Sequence, residues 1–594
     1  MNSGHRKFAL AIAAGIAFAS SPACFAQGYA VPSANDVVDL TPTLSTKLKQ
    51  WWPFGHHAPQ VFDYKKHGEY AYTADLLLID NDTALQLDCP PHMMPPLDSG
   101  LPNAGYWGSM TCDKAPVWQM MGETVKVDGR SILDKTGAFE SPVFTVDQVK
   151  AAERAIGRSI GAGDAVLYWS GYNDKHGAAS TPADALIFDV GTGKKPAWPA
   201  PDWATQDYVG SKGTLLVGLD SPSIGAWGPP DHTWEGTQSY RSQTFKGLES
   251  HLGLFKYGGI DVESLVNLDK VPNGSTFIML PVKLKDSPTA QARAIAVTNR
   301  QLAAQLNRAI KSKKVVDLSV LNWEKLPVTW KGPGLGNEAF PFFRLMEMMS
   351  YTGPSAPYWV NSQVMDSRTG THITPPAHYG LPRGFRVSDY QGEVRQWAQE
   401  FERKYGAIKN TDMTSDKIPA HVLVGPARVV NVQALAGTTD RKNWPASPPI
   451  TVADVQAHEK AHGAIRAGEI VIFHTGFTDA HFRMPERGRV EAAMAGPVNG
   501  ETEGWPAATP EVIQYLAKKG VRHVAIDAPR IGSVVEKDAA MTFWAAANEG
   551  MVVSSYLIGA GQLPPTGAFY VFLNPKVENG HGGPGRAAAI LPHK

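Results

Sequence analysis

Apolar and polar positions follow the same sequence of periods in two distant parts of the chain. From Thr145 to Ile160 and from Thr451 to Arg466, apolar residues recur at helical spacing, and each stretch opens with a Thr that can cap a helix. Each is followed by a Gly-acidic pair and an apolar run, from Gly163 to Tyr172 and from Gly468 to Phe477. Apolar runs bounded by turn residues are typical of buried strands. We therefore predict a helix followed by a buried strand in both places.

Two further segments extend this pattern. Residues 509–519 form another helical stretch, in which Pro510 suits the first turn and Gly520 suits the C-terminal cap, and a strand is predicted over 521–527. Residues 298–313 are rich in Gln, Ala, Arg and Lys, which are good helix formers, and they predict a helix near the middle of the chain.

Short segments of the first half return in the second half in unchanged order. Val37–Leu40 recurs as Val315–Leu318, and Gly218–Pro222 recurs as Ala525–Pro529. The offset is roughly half the chain, and 594 residues are too many for a single core, so a duplicated domain is expected. The predicted division is a signal peptide at 1–26, a first domain at 27–297, a linker helix at 298–313 and a second domain at 314–594.

The N-terminus predicts export. A segment of His, Arg and Lys at residues 5–7 precedes an apolar run over 8–18 and small residues that end at Ala26, which is typical of a secretory signal peptide. Cleavage near Ala26 is favoured over lipid attachment at Cys24, because no Leu stands at the position usual in a lipoprotein site. No later run is long and apolar enough to span a bilayer. We expect a periplasmic or secreted protein without a membrane segment.

The charge pattern limits the partners. Lys+Arg and Asp+Glu each count 56 with no long run of one sign, so neither nucleic acid nor an anionic membrane surface is an expected partner. A small-molecule substrate is expected, and a homo-oligomer remains open. After cleavage, Cys89 and Cys112 remain, and they either pair in an oxidising compartment or are two buried small apolar residues.

The candidate chemistry lies in two related motifs. Residues 82–92 read Asp-Thr-Ala-Leu-Gln-Leu-Asp-Cys-Pro-Pro-His, and residues 368–378 read Arg-Thr-Gly-Thr-His-Ile-Thr-Pro-Pro-Ala-His. The second resembles the His-x-Gly-Thr-His-x-Asp-x-Pro-x-His motif of the cyclase family of metal-dependent hydrolases, which includes bacterial kynurenine formamidase and isatin hydrolase. The helix–strand units and the expected closing strands at 277–284 and 569–577 follow in that family's order. The resemblance implies an α/β fold of two tandem cyclase-like domains, of the swivelling β/β/α type, that form an internal pseudo-dimer.

The resemblance also implies a metal site in the first domain. In the family, the first two His and the Asp of the motif bind metal, the last His acts in acid–base chemistry, and a downstream His and Glu complete the metal shell. The metal positions carried over are Asp82, Gln86, Asp88, His251 and Glu263, and the acid–base position is His92. Asp82 and Gln86 stand where the family has His, and an oxygen-rich set favours manganese over zinc. One or two divalent ions of either kind are expected.

The second domain lacks most of the family's metal-binding residues, so we expect no metal there. His372 and His378 remain, either as hydrogen-bonded structural residues or as support for the first domain's pocket. The positions that differ from the family pattern are Arg368, Thr374, and Thr542 and Ser554 near the expected downstream His and Glu.

The resemblance implies a hydrolase of amide, formamide or cyclic amide bonds outside peptides, with arylformamidase as the nearest named activity, and the N-terminal pattern predicts its export. The metal would activate water, and His92, held by Pro90 and Pro91, would move the proton. The same attack would open a lactone or a cyclic imide, which is the alternative reaction. A catalytically silent small-molecule binding protein is the alternative from another class, and metal content distinguishes it from an enzyme. The loops at 93–107 and 225–247 would select the substrate, and they contain no sequence motif that identifies it.

One motif competes for the metal. His458-Glu459-Lys460-Ala461-His462 matches the His-Glu-x-x-His pattern of zinc proteases on a predicted helix. The flanking residues are not those of a buried protease helix, and no third ligand follows. We interpret it as a surface helix that covers a strand.

Overall fold

The computed structural model describes residues 28–45, 56–137, 140–176, 190, 195–227, 245–324, 343–352, 358–482 and 493–593. The predicted signal peptide lies outside these residues, as does most of the 225–247 loop. None of the described helices combines the length and apolar character that crossing a membrane requires.

An eight-stranded sheet forms the centre of the first half. Four parallel strands occupy its middle: Met121–Asp128, Asp164–Trp169, Leu216–Leu219 and Ile260–Glu263. Antiparallel strands flank them, in the order Val37–Asp39, Thr289–Val297 and Thr276–Pro281 on one side and Gln86–Asp88 on the other. Thr289–Val297 also pairs with Gln86–Asp88, so the sheet closes on itself in a barrel-like form.

A nine-stranded sheet repeats this order in the second half. Its strands are, in spatial order, Val315–Asp317, Arg586–Ile590, Thr566–Leu573, Val424–Asn431, Ile470–His474, His523–Ile526, Val552–Ser555, His372–Thr374 and Gly583–Pro584. Gly583–Pro584 pairs with His372–Thr374 and leads directly into Arg586–Ile590, so this sheet closes in the same way. We call the halves that carry the motifs at 82–92 and 368–378 the first and second copies. The sheets confirm the repeated order that the sequence predicts.

Helices cover the sheets, and four of the eight longer ones in the described residues lie where the sequence predicts a helix. The longer ones are Val146–Ile156, Trp203–Ser211, Gly247–Phe255, Arg300–Lys311, Gly392–Tyr405, Val452–His462, Pro510–Lys518 and Glu536–Asn548. The first and sixth end four residues earlier than predicted, because Gly157 (φ 71°) and Gly463 (φ 86°) adopt a left-handed backbone that ends a helix. Arg300–Lys311 is the predicted central helix, but the domain boundaries on either side of it stay predictions.

A four-stranded antiparallel sheet joins the two copies. Ala74–Asp80 of the first copy pairs with Val360–Asp366 of the second, and Gln60–Lys65 and Phe343–Met349 lie outside them. Leu78 pairs with Val364 at the centre of this register. Each of these two residues stands four positions before its own motif, so equivalent residues face each other, as they do across a twofold axis. The strands that enter the two motifs therefore lie side by side.

Candidate metal centre

Two adjacent buried strands present four polar side chains on one face. Gln86–Asp88 runs antiparallel to Ile260–Glu263, and the register places Asp88 opposite Asp261 and Gln86 opposite Glu263. Opposed residues and their alternate neighbours point to the same side of a sheet, so these four side chains converge. All four are at most 1% exposed.

His251, on the helix Gly247–Phe255, completes the cluster. Its Nε2 lies 3.6 Å from Asp88 Oδ2 and 3.4 Å from Glu263 Oε1. One ligand atom from each of Asp88, His251, Asp261 and Glu263 lies within 4.8 Å of the other three. An overlapping group contains Asp88, His92 and His251. The geometry thus brings four of the residues predicted from the sequence together, and it adds Asp261.

Gln86 and Asp82 lie beside this cluster in a different arrangement. Gln86 Nε2 donates to Asp82 Oδ1 at 2.8 Å and to Glu263 Oε2 at 2.9 Å, while the backbone N–H of Ile224 donates to Glu263 Oε1 at 2.7 Å. The amide nitrogen of Gln86 therefore links two carboxylates. Asp82 belongs to none of the three groups of converging ligand atoms among the described residues, the third of which is Asp63, Asp75 and His581. The ligand roles of Asp82 and Gln86 stay predictions.

The buried charges indicate what the cluster can hold. Within the described part of the chain, both oxygens of Asp88 and both oxygens of Asp261 lack a hydrogen-bond partner. Burial raises the pKa of both carboxyls, and the charge of Glu263 raises each further. Burial alone lowers the pKa of His251, but the Asp88 and Glu263 carboxylates outweigh it and hold that pKa well above its ordinary value. Buried carboxylates with free lone pairs beside an imidazole fit a divalent cation.

His92 is held by the second copy. Its Nδ1 lies 2.9 Å from the carbonyl oxygen of Trp359, which can only accept, so Nδ1 carries the proton and Nε2 has the free lone pair. Nε2 lies 3.7 Å from Asp88 Oδ2. Burial lowers the pKa of His92, although Asp88 opposes this. The neutral imidazole therefore faces the cluster as a proton acceptor.

Aromatic side chains of the second copy cover the same place. The ring of Tyr358 lies 5.4 Å from that of His92, centroid to centroid, and the Tyr351 hydroxyl donates to the carbonyl oxygens of Pro91 and Met94. The sequence motif gives no sign of these contacts, because the residues lie more than 250 positions from His92 along the chain.

A hydrogen-bonded pair behind Asp82 also escaped prediction. His56 Nδ1 lies 2.7 Å from Asp80 Oδ2, and Asp80 Oδ1 accepts from the backbone N–H of Asp82 at 2.9 Å. Burial raises the pKa of Asp80, but the His56 charge outweighs it and leaves the pKa lowered. The two residues fix the turn that carries Asp82. An Asp two positions before the motif was the available signal.

Comparison with known proteins places the chain in a family. The family model described as "Putative cyclase" matches residues 38–226 and 316–533. The chain belongs to this cyclase family. Isatin hydrolase from Roseibium aggregatum is 24% identical over 288 residues, which cover 47% of this chain and 92% of the relative.

Solved structures show the same likeness. Isatin hydrolase A from Labrenzia aggregata, bound to benzyl benzoate, is 22% identical with a TM-score of 0.36, and the match covers 49% of this chain and 98% of that one. Isatin hydrolase A from Ralstonia solanacearum is 24% identical with a TM-score of 0.35, over 49% of this chain and 96% of that one.

The second cyclase copy has different residues at each converging position. Its register places Ser555 opposite His372 and Val553 opposite Thr374, so Ser555 holds the place of Glu263, rather than Ser554. Thr542 Oγ1 donates to a backbone carbonyl as Ser250 Oγ does, which makes Thr542 the counterpart of Ser250. Phe543, rather than Thr542, therefore stands at the place of His251. The expected positions were one residue early, because the insertions between the copies have no sequence marker.

Arg368 occupies the place of Asp82 in the second cyclase copy. Its guanidinium pairs with Asp366, donates to the Tyr64 hydroxyl and lies 5.1 Å from the centroid of the Tyr72 ring. Among the described residues, no converging ligand group includes a residue of this copy's motif. A fixed cation stands where the first copy has a carboxylate.

His372 is hydrogen-bonded within this copy's motif, whereas His378 is held by the first copy. His372 Nδ1 lies 2.8 Å from the Gly370 carbonyl oxygen, and His378 Nδ1 contacts the carbonyl oxygen of Thr73 from the first copy. Burial lowers the pKa of His372 to about 4 and that of His378 well below its ordinary value. Both imidazoles are therefore neutral, and whether they are structural residues or support the first copy's pocket stays a prediction.

The remaining expectations concern a competing motif and a cysteine pair. His458 and His462 stack at 4.9 Å between ring centroids, but His458 is buried rather than exposed, and Glu459 binds the Tyr515 hydroxyl and Lys519. In the described residues no converging ligand group includes them.

Cys89 and Cys112 form a disulfide next to Asp88.

Proposed function

We propose that the protein is a metal-dependent hydrolase of amide or cyclic amide bonds, with its reaction centre in the first copy. The observation that carries the proposal is the convergence of Asp88, His251, Asp261 and Glu263 beside the neutral His92, with unpaired lone pairs on two buried carboxylates. Isatin, named in the three relatives above, is a cyclic amide. An arylformamidase-like activity on open formamides is the finer form of the same proposal.

The chain's own residues supply binding and proton transfer. A divalent cation held by the carboxylates and His251 would act as a Lewis acid, lowering the pKa of a water molecule and polarising a carbonyl. His92 Nε2 would accept the proton of the attacking water and deliver it to the leaving nitrogen. The Trp359 carbonyl fixes the tautomer that this role requires. The covering rings of Tyr351 and Tyr358 would exclude water and favour a flat, aromatic substrate.

The second copy would act as a supporting partner within an internal pseudo-dimer. The pairing of Ala74–Asp80 with Val360–Asp366 and the contact of Trp359 with His92 support this arrangement. We further propose export to the periplasm or the exterior, a small-molecule substrate and no nucleic-acid or membrane partner, on the basis of the N-terminal pattern and the balanced charge. Pairing of two such chains is a further possibility that the proposal leaves open.

The test is hydrolysis by the protein loaded with Mn²⁺ or Zn²⁺, using isatin, an aryl formamide and an aromatic lactone. The wild type should open at least one of the two amides, and His92→Asn should lower kcat by roughly 100-fold or more while metal content is unchanged. His378→Asn, the matched change in the second copy, should leave kcat within a few-fold. Hydrolysis of the lactone alone would favour the alternative reaction. Full metal loading without any hydrolysis would favour a binding protein.

A further inference from the structure

Asp261 is the least expected residue of the cluster. It lies between Ile260 and Val262 in a strand of the central sheet, is 0% exposed, and has no hydrogen-bond partner on either oxygen among the described residues. A buried carboxylate without a partner costs several kcal/mol. The strand beside it places a second carboxylate, Asp88, directly opposite, and His251 is the basic group that accompanies the pair. A bound cation would offset the remaining cost.

The second copy shows that the sheet does not need this carboxylate. The positions of Asp88 and Asp261 are held there by Thr374 and Val553, which pair in the same register. Both carboxylates are thus absent from the copy whose motif also has Arg368. The strands close into the same sheet with either pair. The fold therefore does not require the Asp88–Asp261 pair.

We propose that Asp261 is a metal ligand, and that the cation binds among Asp88, His251, Asp261 and Glu263, with Asp82 outside the coordination shell. The inference rests on the metal centre of the proposed function and not on its reaction. Sequence resemblance alone gave no reason to include this residue, since it lies outside the motif and two positions before the matched Glu.

The distances agree with a shared cation. The four ligand atoms lie within 4.8 Å of one another. Ligands about 2.1 Å from one ion in octahedral geometry are separated by about 3 Å when adjacent and about 4.2 Å when opposite. Three carboxylates and one imidazole form a hard, anionic set, which favours Mn²⁺ over Zn²⁺.

Asp82 has a different surrounding. Its Oδ1 accepts from Gln86 Nε2, its N–H donates to Asp80, and its Oδ2 lies 4.0 Å from His56 Nε2. Gln86 separates it from Glu263 by donating to both. Asp82 is thus a neighbour that adds negative charge to the site, and it provides a matched control, since it is also a buried carboxylate and lies beside the cluster.

The experiment is titration of the metal-free full-length mature protein with Mn²⁺ by calorimetry, with electron paramagnetic resonance of the bound ion. Asp261→Asn should weaken Mn²⁺ binding by roughly 100- to 1,000-fold, whereas Asp82→Asn should weaken it by about tenfold at most. The resonance spectrum should change in Asp261→Asn and stay close to wild type in Asp82→Asn. Mn²⁺ affinity of Asp261→Asn within about threefold of wild type would overturn the inference.

A second variant guards against misfolding. Asp261→Val introduces the residue type that the second copy has at this position, Val553. The variant should fold, and its metal-free form should melt at a higher temperature than the metal-free wild type, because it lacks an unpaired buried charge. Its melting temperature should rise little on adding Mn²⁺, whereas the wild type should show a clear rise. A metal-free Asp261→Val protein that fails to fold would contradict the argument.

The outcomes separate this inference from the proposed function. Loss of Mn²⁺ in Asp261→Asn, together with a wild type that hydrolyses no substrate, would support the ligand and reject the activity. Hydrolysis by the wild type, together with unchanged Mn²⁺ binding in Asp261→Asn, would reject the ligand alone.

Discussion

Ala84 and Gly370 occupy the same bend before the two motif strands, and both have a left-handed backbone, with φ of 58° and 59°. An added Cβ at Gly370 would lie 1.9 Å from the side-chain oxygen of Asn322. The second copy thus requires glycine for space as well as for conformation. The first copy accepts a methyl group at the same bend and keeps only the conformational strain.

Gly370→Ala should therefore lower the free energy of unfolding by roughly 1–3 kcal/mol, because Asn322 must move to admit the methyl group. Urea denaturation measures the change. Ala84→Gly is the control and should stay within about 1 kcal/mol of wild type, since relief of the left-handed strain offsets the lost buried methyl. A harmless Gly370→Ala would show that the bend is not crowded.

His523 predicts a pH dependence of stability. It is fully buried, with Nδ1 at 3.0 Å from the Val422 carbonyl oxygen and Nε2 at 2.9 Å from Ser554 Oγ, and burial lowers its pKa to about 4. The unfolded chain binds a proton near pH 6.5, so it holds more protons than the folded chain between about pH 6.5 and 4. Stability is therefore lost as the pH falls through this window.

His523→Leu introduces the residue that the first copy has at this position, Leu216. It should reduce the loss of stability as the pH falls. Between pH 6.5 and 4, the wild type should lose at most about 3 kcal/mol more unfolding free energy than the variant. Urea unfolding at several pH values measures it. An unchanged slope would mean that His523 does not stay neutral in the folded protein.

At the scale of elements, each copy holds the last motif His of the other. The Trp359 carbonyl accepts from His92, and the Thr73 carbonyl is the matching contact of His378. Tyr358 and Tyr72 precede these carbonyls and lie against the two imidazoles, 5.4 Å and 5.0 Å between centroids. Trp359 and Thr73 each stand directly before a strand of the joining sheet. The pairing of these strands therefore places each carbonyl against the last motif His of the other copy.

Tyr358→Ala should lower kcat/KM by roughly 10- to 100-fold through misplacement of His92, with Mn²⁺ affinity unchanged. Steady-state kinetics beside calorimetry measure the two effects. Tyr72→Ala is the matched change in the other copy and should reduce stability but not kcat/KM. Equal kinetic losses in both variants would indicate general destabilisation rather than positioning.

The sequence predicts those elements whose determinants are local. Thr145 and Thr451 cap the predicted helices, and Gly157, which ends one of them early, was available as a signal. Asp88, His92, His251 and Glu263 were found by resemblance. Tyr358 was not found, because its place depends on a strand pairing between distant segments, which local periodicity does not encode. Asp261 was visible only as an acidic residue within an apolar strand.

At the scale of the whole molecule, two copies of one fold carry different chemistry. The first keeps converging carboxylates beneath His92, and the second has Arg368, Thr374, Val553 and Phe543 at matching places. Because the second sheet closes without those carboxylates, the metal centre is an addition to a self-sufficient fold. The second copy contributes to this place through its contacts with His92, from the Trp359 carbonyl and the Tyr358 ring.

Metal content of the purified protein tests this account most directly. Elemental analysis should be made beside Asp88→Ala/His251→Ala in the first copy and His372→Ala/His378→Ala in the second. The account predicts about one equivalent of manganese or zinc in the wild type and in the second double variant, and loss of metal in the first. Metal that persists without Asp88 and His251, or a wild type that takes up none after reconstitution, would contradict it.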